Sequence, residues 1–220
     1  MPREGTSMTT IYLVRHGETD WNRARRIQGS TDIALNDLGR EQAATSGALL
    51  ARRQWDAIYA SPLSRAFETA SIIADATGLP APTPLPALVE RNYGTAEGMT
   101  GADIDRLFPD GAEVPGRETR EQVAARVMPA LHELAAQHPG ENLIVVAHGG
   151  VIRTVLNTVD PSGHVEMIRN GSIHSFRHAD GGLELIAFDD PIELESLGCA
   201  DDELEEQNAI EGRESAGLVS

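Results

Sequence analysis

The chain has no lysine. All 18 of its basic residues are arginines, they face 34 acidic residues, and the formal charge is −16 over 220 residues. So small a cationic complement excludes the extended basic face that nucleic acid or an anionic membrane surface requires. An anionic ligand must instead be held by a local arginine cluster. Cys199 is the only cysteine, which rules out a disulfide within the chain and fits a reducing, cytoplasmic setting. No apolar run approaches the roughly 20 residues of a membrane span, and Met1 to Thr10 lacks the apolar segment of a secretory signal.

What is present is the composition of a folded domain, with 40% hydrophobic residues in short regular runs and enough length for one substantial core. The acidic excess is uneven. Residues 189–220 hold 11 acidic side chains and one arginine, Arg213, a net of −10. With few bulky apolar residues, this stretch reads as a solvated, disordered acidic tail, a spacer rather than a regulatory lid. The expected organisation is a flexible N-terminus over 1–8, one domain over 9–188 and the tail over 189–220.

Two apolar runs end alike. Ile11 to Val14 runs into Arg15-His16-Gly17, and Leu143 to Ala147 runs into His148-Gly149-Gly150. Each reads as a buried strand that delivers an imidazole at its carboxyl end, where open α/β sheets display their chemistry. Side by side, the two would bring both imidazoles and Arg15 to one crevice suited to a phosphoryl group.

Between and around them the punctuation predicts the remaining elements. Thr19 to Asp32 is polar and arginine-rich and reads as an ordered loop. Asn36 offers an N-cap for a helix over about 37–53, and 56–60 is a short strand. Ser61-Pro62 signals a helix start with the serine as cap, and Gly78 its stop. Four prolines between Leu79 and Pro86 predict an extended segment at a sheet edge. Helices follow over 102–108, 118–137 with a kink at Pro129, and 150–159. Strands over 172–178 and 183–188 flank a hairpin turn at 179–182. This alternation predicts an α/β three-layer sandwich, a mostly parallel sheet flanked by helices on both faces with an antiparallel end.

Four segments in chain order, Arg15-His16-Gly17-Glu18-Thr19, Ser61-Pro62-Leu63-Ser64-Arg65-Ala66, Glu90-Arg91-Asn92-Tyr93-Gly94 and His148-Gly149, resemble the histidine phosphatase superfamily in its phosphoglycerate-mutase-like branch. The resemblance covers about residues 9 to 188 and implies the same architecture. It also implies an enzyme acting on a small phosphorylated metabolite, with no cofactor and no metal. His16 is then the nucleophile whose ring nitrogen accepts the phosphoryl group, and His148 donates a hydrogen bond to a phosphoryl oxygen. Asn22, Gln28 and Gly29 complete the cradle by the same analogy.

The residue chemistry fits these roles. Arg15 and Arg65 can each grip phosphate through two donors of a planar fork, and a charge following a buried strand demands an anion. Gly149 and Gly150 remove side-chain bulk beside the ligand. Glu90 is the expected general acid, protonated for the leaving oxygen and afterwards able to activate water. Glu18 and Glu97 read as structural. His132, His138, His164, His174 and His178 lack metalloenzyme spacing and read as surface residues.

Mutases of this branch carry extra substrate contacts that the chain lacks. Gly101 stands where they place a lysine and Gly150 where they place an asparagine. The interval from Gly98 to His148 is short, and Arg117 and Arg120 are not adjacent. A more open pocket admits water to a phosphohistidine, so the expected function is a phosphomonoesterase. A cofactor-dependent phosphoglycerate mutase is the alternative enzyme. A non-catalytic binder of phosphorylated ligands is the alternative of another class, disfavoured because His16 and Glu90 are both present. The leaving group faces variable loops over 106–120 and 163–168, and no motif specifies it or the oligomeric state.

Overall fold

In chain order the elements are β1 (Thr9–Arg15), α1 (Asp20–Arg23), α2 (Asp37–Leu50), β2 (Ala57–Ala60), α3 (Ser64–Thr77), β3 (Thr83–Pro84), α4 (Gly101–Leu107), α5 (Arg120–Gln137), β4 (Asn142–Ala147), α6 (Gly149–Val159), β5 (Ile173–Ala179) and β6 (Gly182–Ala187). Single 3-10 turns lie at Pro86–Leu88 and Gly94–Ala96. The structure, a computed structural model, describes residues 8–190 apart from 110, 111, 162, 164 and 180. The expectations for residues 1–7, His164, Cys199 and the acidic tail beyond residue 190 lie outside the described residues.

Local chemistry explains most element ends. Asn36 caps α2, its Oδ1 accepting from the Gly39 amide at 2.8 Å, and Gly78 closes α3 at φ 72°, a conformation that favours glycine. Two readings change. α3 begins not at Ser61 but at Ser64, where its first turn is capped from the segment before α2: Asp32 Oδ1 accepts from the Ser64 amide and hydroxyl at 2.8 and 2.7 Å. The stretch read as loop after Thr19 contains the helical turn α1, since Thr19 and Asn22 exchange backbone and side-chain hydrogen bonds in a capping box. α5 starts under a Thr119 cap and continues through Pro129.

The six strands lie in the order β3-β2-β4-β1-β5-β6. The first four are parallel, and β5 and β6 form the antiparallel end. Strand residues alternate between two cores, as buried parallel strands do. Ile11, Leu13, Leu143 and Val145 pack with Val127 and Leu131 of α5 and Ile152 and Val155 of α6. Tyr12, Val14, Ile144 and Val146 pack with Leu50 of α2 and with Ala66, Ala70 and Ile73 of α3. The sheet is thus the middle layer of three. Among the described residues, no helix is long and apolar enough to cross a membrane.

Register then places the candidate chemistry. β1 meets β4 with Arg15 opposite Ala147, and β2 ends at Ala60 opposite Val146. The residues that follow these three strands are His16, His148 and Ser61. Beyond His16 the chain presses backbone to backbone on α2. A Cβ at Gly17 would lie 2.1 Å from the Gly39 carbonyl oxygen, and one at Gly39 would lie 2.1 Å from that of Glu18.

That contact sets the sign of a substitution. Helix propensity alone favours Gly39→Ala by about 1 kcal/mol, but the added methyl cannot fit without moving the loop that carries His16. We expect a net loss of about 1 to 3 kcal/mol, measured as a lower denaturation midpoint. A variant as stable as the parent would contradict the contact.

Candidate active site

His16 is buried and its ring orientation is fixed by a group that can only accept. Its Nδ1 lies 2.7 Å from the Gly17 carbonyl oxygen, so Nδ1 carries the proton and donates it. Nε2 of the neutral ring then holds the lone pair. Burial is the main cause that holds the ring well below its ordinary pKa of 6.5, and the Arg65 and Arg15 charges add to it. Around this residue, Asn170 Nδ2 donates to the His16 carbonyl at 2.9 Å, and the Gly17 amide donates to Thr69 Oγ1 at 3.1 Å.

Arg15 and Arg65 are both buried. Arg15 donates to the Ile168 carbonyl. Arg65, in the first turn of α3, donates to the carbonyls of Gly29 and Thr31 at 2.7 and 2.9 Å and through Nε to His148 Nδ1 at 3.2 Å. Burial lowers its pKa to about 10, with Glu90 and Asp32 pulling it up and Arg15 pushing it down. Arg65 therefore remains cationic at neutral pH.

The His148 ring lies 5.1 Å from that of His16, centroid to centroid. Burial first, and then Arg65, His16 and Arg15, hold its pKa well below 6.5. Its Nε2 is 2.8 Å from Ser61 Oγ. Ser61, expected as a helix cap, thus has its hydroxyl against the second imidazole.

Glu90 comes to the same place from the segment after β3. His148 occupies the N-cap position of α6 but supplies no side-chain cap. Glu90 takes over that function: its carboxylate accepts from the amides of Gly150 at 2.9 Å, Val151 at 3.2 Å and Arg91 at 2.7 Å. These donors address the ionised form, so a proton for a leaving group has to be taken up alongside them.

The remaining cradle residues are drawn together by Thr19 and Glu97. Asn22 Oδ1 is committed to Thr19 in the cap, which leaves its NH₂ as the donor it can offer an anion. Gln28 Oε1 accepts from Thr19 Oγ1 at 2.8 Å, while its buried Nε2 makes no hydrogen bond. Gly29 has no room for a side chain, since a Cβ would lie 2.1 Å from Glu97 Oε1 and 2.7 Å from the Arg91 carbonyl. At Gly149 the protein imposes no such limit, because a Cβ would sit in ordinary contact with the Arg15 guanidinium at 3.5 Å. The structure therefore brings Arg15, His16, Arg65, Glu90 and His148 to one strand edge, with the Asn22–Gly29 loop tied beside them through Arg65.

Sequence reasoning missed Ser61 beside the His148 ring, and Thr69 and Asn170 on the backbone of Gly17 and His16. Only Ser61 carried a signal, its place in the second motif. The remaining histidines need one correction. His174 is fully buried, because it lies on the inner part of β5, where the Asp189 backbone amide donates to Nδ1 at 3.0 Å and Nε2 meets Ser172 Oγ at 2.9 Å. Among the described residues, no three His, Cys, Asp or Glu side chains form a metal-binding group.

Glu97 accepts from the amides of Ser30, Thr31 and Tyr93 and from the hydroxyls of Ser30 and Thr31. Burial pushes its pKa up, but these hydrogen bonds outweigh it and hold the carboxyl below the usual range. A depressed folded pKa stabilises above the unfolded value and is lost as pH falls through the folded one. Glu97→Gln should therefore cost about 1 to 3 kcal/mol near neutral pH. The deficit should shrink as pH falls below the ordinary carboxyl value and the parent carboxylate is protonated, measured by denaturation from neutral to acid pH. A deficit independent of pH would contradict the role of the carboxylate.

Comparison with known proteins agrees with this geometry. The chain is 37% identical over 176 residues to the "uncharacterized phosphatase PhoE" of Bacillus subtilis, covering 79% of this chain and 90% of that protein. It is 34% identical over 205 residues to a "metal-independent phosphoserine phosphatase" of Arabidopsis thaliana, covering 88% and 86%. Among solved structures, the native mycobacterial glucosyl-3-phosphoglycerate phosphatase superposes with a TM-score of 0.75 at 28% identity, over 83% of this chain and 99% of that one. The family model for the histidine phosphatase superfamily, branch 1, matches residues 11–191. The chain thus belongs to the histidine phosphatase superfamily, branch 1, and has its phosphoglycerate-mutase-like fold.

Proposed function

We propose that the chain is a phosphomonoesterase that hydrolyses small phosphorylated metabolites through a phosphohistidine on His16. The observation that carries this reading is the state of that ring. Its Nδ1 proton is given to the Gly17 carbonyl, its neutral form is enforced by burial and two guanidiniums, and its Nε2 lone pair is left for phosphorus. Arg15 and Arg65 neutralise the phosphoryl oxygens. The buried, unsatisfied Nε2 of Gln28 supports a place in the cradle, since such a donor costs about 1 to 3 kcal/mol until an acceptor takes it.

In the first step His16 Nε2 bonds to phosphorus, the bond to the leaving oxygen breaks, and that oxygen takes a proton from Glu90. In the second, water attacks phosphorus and passes a proton to the Glu90 carboxylate. The P–N bond then breaks, and phosphate leaves a neutral His16. The relatives described above are named as phosphatases, which supports hydrolysis over transfer to a second acceptor. The match over 11–191 supports a catalytic unit close to the 9–188 read from the sequence.

The test is inorganic phosphate release from a panel of small phosphomonoesters, with isomerisation of 3-phosphoglycerate measured beside it. Hydrolysis should dominate, and isomerisation outrunning it would reassign the chain as a mutase. His16→Ala should lower turnover by more than about a thousandfold, and full turnover in that variant would overturn the nucleophile. Glu90→Gln should cost about 10² to 10⁴. Because His16 is held well below 6.5, it stays neutral as pH falls through that value. The acid limb of kcat/KM should therefore lie lower, and a limb centred on the ordinary imidazole value would contradict the site.

A further inference from the structure

Two partners fix the protonation pattern of His148. Arg65 Nε can only donate, and it lies 3.2 Å from Nδ1. Nδ1 is therefore an acceptor, the single proton of the neutral ring is on Nε2, and Nε2–H donates to Ser61 Oγ at 2.8 Å. Ser61 is wholly buried and its oxygen also accepts from the Leu63 amide at 3.3 Å. It follows β2 as His148 follows β4, and its amide donates to the Val146 carbonyl at 3.0 Å, so its position is set by the sheet.

A phosphoryl group reverses what is asked of this imidazole, given the phosphatase reading on which this step rests. The oxygens of a phosphate dianion only accept. The His148 nitrogen that borders Arg65 is Nδ1, so an anion gripped by Arg65 would meet His148 there, with Arg65 Nε–H turned from Nδ1 to the anion. In the tautomer just described, Nδ1 would turn a lone pair toward that anion. Donation therefore requires the proton on Nδ1, and Nε2 then needs a donor. A hydroxyl can fill either role, because rotation about Cβ–Oγ re-aims its hydrogen while the oxygen stays in place. The ring that meets the anion carries a single proton, because in the ligand-free protein burial first, and then Arg65, His16 and Arg15, disfavour its cationic form.

We infer that Ser61 is a positioning residue that sets the tautomer of His148, accepting from Nε2–H in this structure and donating to Nε2 when a phosphoryl group is bound, so that Nδ1–H faces a phosphoryl oxygen. The ring keeps its charge and its one proton, and exchange with water moves that proton between the nitrogens.

The test needs no variant at its centre. Ring nitrogen NMR of the full chain, with His148 assigned by loss of its signals in His148→Gln, should show an Nε2–H tautomer alone and an Nδ1–H tautomer with orthovanadate. An Nε2–H tautomer retained with orthovanadate would overturn the assignment. Ser61→Ala should lower kcat/KM at least about tenfold, as loss of a partner that orients a functional histidine does, and should blunt the tautomer change. Ser61→Thr, which keeps the hydroxyl, should restore both. Ser61→Ala matching the parent while His16→Ala is inactive would remove Ser61 alone, whereas a fully active His16→Ala would remove the phosphatase reading beneath it.

Discussion

Two guanidinium groups are buried at the carboxyl edge of the sheet, beside two imidazoles whose rings lie 5.1 Å apart. Arg65 is held there by the carbonyls of Gly29 and Thr31 and Arg15 by that of Ile168, which offsets the expense of desolvating a charge without cancelling it. The retained positive field has two effects. It favours an anion in a molecule whose overall charge repels one, and it adds to burial, the larger cause, in keeping both histidines neutral. A neutral His16 with its proton tied to Gly17 keeps a lone pair on Nε2, and a protonated one does not. In the proposed mechanism the same pair of charges that holds a phosphoryl group therefore helps to prepare the atom that attacks it.

The rest of the structure holds that charge cluster in place. Pairing of β1 on β4 sets the two imidazoles side by side, and the close approach of Gly17 to Gly39 leaves the loop behind His16 no freedom to slide. Glu90 ties the 3-10 turn after β3 to the start of α6, so the candidate acid and the backbone after His148 are one unit. Glu97 does the same for the Gly29–Thr31 loop and Tyr93, and Gly29 in turn gives its carbonyl to Arg65. Each carboxylate joins a near backbone amide, that of Arg91 or Tyr93, to donors on a segment distant in sequence. In this way a strongly acidic chain uses its carboxylates to position two buried cations.

How much of this is legible in the sequence depends on whether the cause is local. Ile11 to Val14, Leu143 to Ala147, the Asn36 cap and the Gly78 stop were readable because pattern, cap and turn lie within a few residues of the element they specify. The layers and the mixed sheet follow from their order. The positions of Arg15, His16, Arg65, Glu90 and His148 were readable because each sits in a short motif. Partners that meet only through folding were not. Asp32 capping α3, Glu90 capping α6 sixty residues away, the burial of His174 and the contact of Ser61 with His148 all depend on register between strands. One clue was available. A helix beginning His148-Gly149-Gly150 carries no capping oxygen of its own, so a buried α6 had to borrow one.

In the proposed mechanism the Nε2 atom of His16 carries phosphorus between substrate and water. This transfer is tested most directly by quenching the enzyme during turnover of a substrate labelled in its phosphoryl group, under alkaline conditions that preserve phosphoramidates, and mapping the label. Acid-labile label is expected on the peptide containing His16, attached at Nε2, and should disappear as substrate is exhausted. Label on another residue, or turnover with no protein-bound label at any quench time, would contradict the mechanism.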